Sequence, residues 1–350
     1  MNPKAIDLEQ LELWIPRLWE KDWKSAINNA SGVEKNLLII QNRAANLLNQ
    51  ISDKRVTFAR LAWLNLWTKA FSTLEGAFCA LPKNSLYVLR MLGRASFEQV
   101  LHARSIIEPV LQAYSVSEDS EEKVIPSNLL RNREKESFKR LEAYAAWCIW
   151  NDCIFYEQVI SPQTLDAVWD AEPVQQILRN SKALEAYEAI YGQLKIETDE
   201  KELKKGRLRQ QDEGQHGLYH LRKWLDYRDL KPWHEKLKKN KFMTFFTLVG
   251  EDQRGVKKSL KEFDLSFGYP VYSEGSMAIH GSSLYQFLHL SNESVMPLFV
   301  GADDEVSEKA EEVGGNCNQV IIALYLLCRQ IWPKQTRSDS SSRNDSDQKT

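Results

Sequence analysis

The chain has 350 residues, 43% of them hydrophobic and 27% charged, enough to bury a sizeable core as one large domain or two smaller ones. Its 46 Lys and Arg nearly balance 48 Asp and Glu, so no global field attracts nucleic acid or an anionic membrane, and a polyanion would need a local patch. The most apolar stretch, Val320 to Cys328, is far shorter than the ~20 residues that a membrane-spanning helix requires.

The opening Met1-Asn-Pro-Lys-Ala-Ile-Asp lacks the basic and apolar runs of a secretory signal. Five cysteines, Cys79, Cys148, Cys153, Cys317 and Cys328, lie in apolar surroundings without C-x-x-C spacing, which reads as buried thiols in a reducing cytosol. Charged and apolar residues recur at three- and four-residue spacing, and β-branched alternation with hairpin turns is nearly absent. The expected class is therefore all-α, a multi-helix bundle with almost no β-structure.

In chain order, a first helix is expected over residues 5–29, with Leu8, Leu11, Ile15 and Leu18 on one stripe, and a second over 34–51. A third, 56–81, stops at Pro82-Lys-Asn84-Ser85, where Asn84 or Ser85 can cap a helix over 86–114. The polar segment Ser115–Lys123 reads as a loop, and a cap at Ser127 opens a long helix to about Val159. Ser161-Pro162 is an N-cap followed by proline at the first helical position. Charge is dense over 196–241, giving exposed helices or a hinge. Gly314-Gly315 reads as a turn between helices, and a closing helix over 316–332, apolar nearly all round, is expected to be buried. The expected organisation is an N-terminal helical segment, 1–54, a main bundle, 55–332, and a disordered polar tail, 333–350.

Two steps carry the candidate chemistry. On the 86–114 helix, Arg94 and Glu98 are four apart and share a face with Arg90, Phe97 and Leu101. They form either a partly buried charge pair that needs further partners or an ordinary helix salt bridge. On a helix from about Val271, Ser276, His280 and Ser283 lie on one side with Met277 and Phe287, and Gly281 leaves space beside the imidazole. That pattern suits a ligand pocket, and equally a core histidine bonded to a backbone carbonyl.

Arg94-x-x-x-Glu98 within Leu89-Arg-Met-Leu-Gly-Arg-Ala-Ser-Phe-Glu-Gln-Val-Leu, together with Tyr272-x-x-x-Ser276-x-x-x-His280-Gly281, resembles a bacterial all-helical family catalogued as a domain of unknown function, number 5677. The resemblance covers roughly residues 56–332. It implies a shared polar cluster of Arg94, Glu98, Tyr272, Ser276 and His280 in a helical bundle, in a setting similar to stress and phage-defence proteins, and it names no reaction. In such a cluster His280 would move a proton, Arg94 would stabilise charge on phosphate oxygens and Glu98 would orient the arginine, with Arg90 and Ser283 in support.

Other chemistries have weaker signatures. The Arg-then-His spacing of HEPN-type ribonucleases does not join Arg94 to His280; Arg209–His216 and Arg228–His234 fit it, but Gly214 is expected to interrupt the first and Pro232 the second. Glu213, His216 and His220 share one helical face, yet Asp212, Gln215 and Arg222 around them mark a solvated surface, so no metal and no cofactor is assigned. Glycine-rich phosphate loops and the G-x-S-x-G elbow are absent. Trp63, Trp67, Trp147 and Trp150 read as core, whereas Trp14, Trp19 and Trp23 suit a homo-oligomer or protein-partner interface. The leading expectation is a cytoplasmic effector, with no membrane partner, acting on RNA or a nucleotide through His280, Arg94 and Glu98. The competing one is a non-catalytic interaction or scaffold protein whose polar cluster fixes helix register.

Overall fold

The computed structural model describes residues 22–48, 57–118, 127–169, 181–192, 200–250, 273, 288–290, 295–297 and 303–332. These residues form helices α1 (Trp23–Asn29), α2 (Gly32–Leu48), α3 (Phe58–Ala80), α4 (Leu86–Glu118), α5 (Ser127–Val159), α6 (Pro162–Trp169), α7 (Ser181–Tyr191), α8 (Glu200–Leu225), α9 (Lys231–Lys239), α10 (Phe245–Leu248) and α11 (Asp303–Ile331). The expected all-α class is what the chain adopts. Among the described residues the one departure is an antiparallel pair of three-residue strands, β1 (Leu288–Leu290) and β2 (Val295–Pro297). No described helix is long and apolar enough to cross a membrane.

The chain divides into two compact units, one drawn from the described residues within Met1–Glu142 and Phe245–Thr350, the other from Ala143–Thr244. The first is built around α11, which packs most extensively on α4, then on α3 and α2. Its N-terminus carries Asp303, Asp304 and Glu305, where negative charge offsets the unpaired amides of a helix start. α3 is opened by Thr57, whose hydroxyl accepts from the Arg60 amide. Trp63 and Trp67 are fully buried in this unit. Their indoles donate to the carbonyls of Leu324 (3.0 Å) and Ala44 (2.9 Å), so each buried N–H is satisfied across a helix interface. Arg60 donates from Nε to the Ile331 carbonyl at 2.8 Å and lies 4.6 Å from the Trp332 ring, which closes the C-terminal end of α11.

The second unit combines the latter part of α5 with α6 to α9. Gly214 and Gly217 turn toward α5, where a Cβ would overlap Ile160 at the first and meet the Tyr156 ring at 3.2 Å at the second. The missing side chains let the two helices approach closely. Leu218, Leu225 and Leu237 supply the buried contacts. Trp147 and Trp150 are half-buried rather than core, and their indoles donate to the carbonyls of Met243 and Lys241, both at 3.1 Å.

Several local expectations are corrected. α4 continues through Ser115 to Glu118 instead of ending at Tyr114, and, as the expected 86–114 helix requires, it passes Pro109 without a break. Proline has no N–H to offer the carbonyl four residues earlier, and Arg140 from α5 donates to that carbonyl, Ser105, at 2.7 Å. Gly314 and Gly315 are not a turn but lie inside α11, which begins at Asp303 rather than 316. At Gly314 a Cβ would meet Leu37 at 2.9 Å, so the glycine marks the close approach of α2. α11 is also not enclosed all round, since Ile322 and Tyr325 are half exposed. Gly214 does not interrupt α8, and Pro232 lies in the first turn of α9, where a missing N–H costs nothing.

Among the described residues, the turn between α3 and α4 and the start of α6 agree with the sequence. Asn84 adopts φ 47° and ends the short 3-10 turn Leu81–Lys83; its side-chain amide donates to Asp303 at 2.7 Å, and the Ser85 carbonyl accepts from Leu89 to start α4. Ser161 caps α6 by accepting from Thr164. Trp14 and Trp19, the 1–21 segment and the 333–350 tail lie outside the described residues; Trp23 is half-buried on α1.

Candidate functional site

The α4 stripe predicted to carry the chemistry is present, and its geometry is specific. Arg94 Nε donates to Glu98 Oε1 at 3.1 Å, with the two side chains 19% and 44% exposed. This is the partly solvated i,i+4 helix pair and not a dry charge cluster, so its direct contribution to stability is small, about 0.3–0.5 kcal/mol. Arg90, one turn earlier, binds Glu305 of α11 at 2.7 Å and is more enclosed than its partner. It ties α4 to the acidic start of α11.

The buried side of α4 bears polar groups that bond across the helix interfaces. Ser96 donates to the Gly93 carbonyl at 2.8 Å and accepts from Asn316 of α11 at 3.1 Å. Gln99 donates to Thr73 of α3 at 3.1 Å, and Thr73 in turn donates to the Lys69 carbonyl. Each of these four side chains is buried, and a shift of even one residue would leave buried donors and acceptors without partners, at a cost in free energy.

The stripe has a member that sequence reasoning missed. His102 follows Glu98 by four residues, so Arg94, Glu98 and His102 succeed one another along one face. Its ring stacks at 5.4 Å on Phe246 and packs edge-to-face with Phe245 at 5.6 Å, both from the α10 segment. Burial, and then the nearby Lys69 charge, lower its pKa to about 3. By exposed area the residue is only partly buried, but flanking aromatic rings deny an imidazolium its water, and that governs the protonation. At neutral pH His102 is an uncharged imidazole. The i,i+4,i+8 spacing was the available signal, and nothing local announced that α10 would cover it.

Tyr272, Ser276, His280 and Ser283 lie outside the described residues; of their stretch Ser273 alone, in a helical turn, is described. The structure thus places Arg90, Arg94 and Glu98 together on α4.

A second set of polar residues lies on the second unit. His216 and His220 are exposed on α8 with their Nε2 atoms 3.1 Å apart, while Glu213 accepts from Arg209 at 2.8 Å. Among the described residues no three metal-ligand side chains converge. On a neighbouring face an open groove of about 480 Å³ is lined by Gln215, Leu218, Tyr219, Arg222, Lys223 and Asp226. His234, the histidine that follows Arg228, is buried beside Asp226 at 3.4 Å. Burial, then Lys238, hold it below the usual imidazole range against the opposing pull of Asp226.

Comparison with models of known protein families, with curated proteins and with solved structures returned no match for this chain.

Proposed function

We propose that the protein is a cytoplasmic RNA-directed effector whose second unit holds the polyanion. The observation that carries this reading is the surface of α8 and α9. Residues 200–244 contain thirteen Lys and Arg against seven Asp and Glu, whereas the rest of the chain carries 33 against 41. Exposed aromatics interleave with these cations: Tyr219 is 62% exposed, Trp224 41% and Phe242 84%. Lys223 lies over the Tyr219 ring at 5.9 Å and Lys236 over Trp233 at 4.7 Å. Phosphates need spaced cations and unpaired bases need π-faces, and this segment offers both. Any catalytic step would fall to Arg94, Glu98 and His280, with His280 as proton carrier and Tyr272 and Ser276 in support, as the family resemblance implies.

The reading is tested with purified full-length protein and a labelled single-stranded RNA. Lys223→Glu, Lys236→Glu and Lys239→Glu together are expected to weaken binding and to flatten its salt dependence, by about 0.7 in log–log slope for every phosphate that is no longer neutralised. Unchanged affinity and slope would refute it. Cleavage of total RNA by the wild type that disappears in His280→Ala supports the enzymatic half.

A second reading has its own support. Ser96, Gln99 and Arg90 of α4 bond to Asn316, Thr73 and Glu305 on neighbouring helices, which is how a scaffold fixes helix register. Binding without cleavage by any variant favours that non-catalytic alternative.

A further inference from the structure

We propose that α8 carries a solvent-open site for a borderline divalent cation of the Zn²⁺, Ni²⁺ and Cu²⁺ class, ligated by His216 and His220, with Glu213 recruited from Arg209. The proposal is independent of RNA binding. The residue spacing alone gives only a histidine pair on a charged helix, and the expectation from sequence was a solvated face. The helix is indeed exposed there, but its packing has a consequence. Gly214, Leu218 and Leu225 are buried, and at about one hundred degrees per residue they leave His216 and His220 on nearly the opposite face. The close approach of Gly214 and Gly217 to Ile160 and Tyr156 fixes that rotation.

The imidazole geometry supplies the main argument. The two Nε2 atoms are 3.1 Å apart and the ring centroids 4.4 Å. A metal–nitrogen bond of about 2.0–2.1 Å at an inter-ligand angle between octahedral and tetrahedral requires a nitrogen separation of about 2.8–3.4 Å. The rings hold that separation through a hydrogen bond in which one Nε2–H donates to the other Nε2; a metal ion would replace the shared proton, and exposed side chains have the rotational freedom to aim both lone pairs at a common point. The Tyr219 ring packs edge-to-face with His220 at 5.4 Å.

A third ligand is one turn away. Glu213 precedes His216 by three residues, and among the described residues its carboxylate is held by Arg209, in a pair whose side chains are 66% and 79% exposed. An ion pair so exposed is worth little, so a cation bound at the histidines can draw the carboxylate off the guanidinium. Water completes the shell. Two imidazoles with one carboxylate favour Zn²⁺, Ni²⁺ or Cu²⁺ over Mg²⁺ and Ca²⁺, which prefer all-oxygen shells.

Isothermal titration of the untagged, EDTA-dialysed full chain with Zn²⁺ tests the site, with Mg²⁺ titrated in parallel. One Zn²⁺ per chain is expected, weakened about tenfold or more in His216→Gln and in His220→Gln, and no comparable Mg²⁺ binding. Arg209→Gln, which frees Glu213, is expected to tighten Zn²⁺ binding, and Glu213→Gln to weaken it. Far-UV circular dichroism checks that each variant keeps its helices. Zn²⁺ binding that is absent, or unaltered by both histidine substitutions, overturns the proposal; unaltered binding in Arg209→Gln and Glu213→Gln overturns the carboxylate's part in it.

Discussion

Arg140 and Ser105 illustrate how much a single residue here depends on a distant one. The Ser105 carbonyl loses its helical donor because residue 109 is proline, and a guanidinium thirty-five positions away supplies the bond. His102 is a similar case with a measurable consequence. Its pKa falls to about 3 in the folded chain, whereas an unfolded histidine titrates near the ordinary imidazole value of 6.5. Between those values the unfolded state binds the extra proton, so the stability contributed by the neutral ring is complete above about pH 6.5 and is lost as pH falls toward 3. Urea unfolding across this window is expected to show a steeper acid decline for the wild type than for His102→Leu, by up to ~1.4 kcal/mol per pH unit. Equal slopes in the two proteins would mean that the ring is hydrated and titrates normally. Arg94 and Glu98 were legible as a pair from their spacing. Their exposure was not, because sequence gives a side chain's direction on its helix but not what stands in front of it.

At the scale of elements, adjacent glycines in α11 separate two roles that look identical in sequence. A Cβ at Gly314 would meet Leu37 at 2.9 Å and Ile40 at 3.4 Å, both on α2, whereas a Cβ at Gly315 would meet nothing within 4 Å. Gly314→Ala is therefore expected to destabilise the protein by about 1–3 kcal/mol through overpacking. Gly315→Ala is expected to stabilise it by about 0.5–1 kcal/mol through helix propensity. Chemical denaturation of the two variants gives opposite shifts in midpoint if α2 and α11 pack as described, and shifts of one sign if they do not. The pair was read from sequence as a turn because two glycines weaken a helix wherever tertiary packing does not decide the matter. Here packing on α2, α3 and α4 decides it.

At the scale of the whole molecule, the first unit is closed by parts of the chain far apart in sequence. α11 provides the carbonyl acceptors for Trp63 and Arg60, the Asn316 amide for Ser96, and Glu305 for Arg90. Truncation before Asp303 should therefore remove cooperative unfolding of this unit, because it takes away the acceptors that Trp63 and Arg60 use, the donor to buried Ser96 and the apolar surface on which α2, α3 and α4 pack. Near-UV circular dichroism reports the outcome through the tryptophans; a native-like aromatic signal in the truncated chain would contradict it. The second unit is formed from one continuous stretch of chain, and its basic character is visible in composition.

The sequence by itself determined the helical class, most of the described helix starts and the buried Leu37, Leu38, Ala44, Leu47 and Leu48 stripe of α2, because periodicity, caps and proline positions act over three or four residues. It also determined that Arg94 and Glu98 would pair. Tertiary structure alone decided that α4 runs on to Glu118, that Gly214 and Gly314 are points of close approach rather than breaks, that His102 is held neutral under two phenylalanines, and that the His216 and His220 nitrogens come together. Each of those outcomes depends on which surface arrives from another helix, and the free energy of that packing exceeds the local preference that the sequence displays.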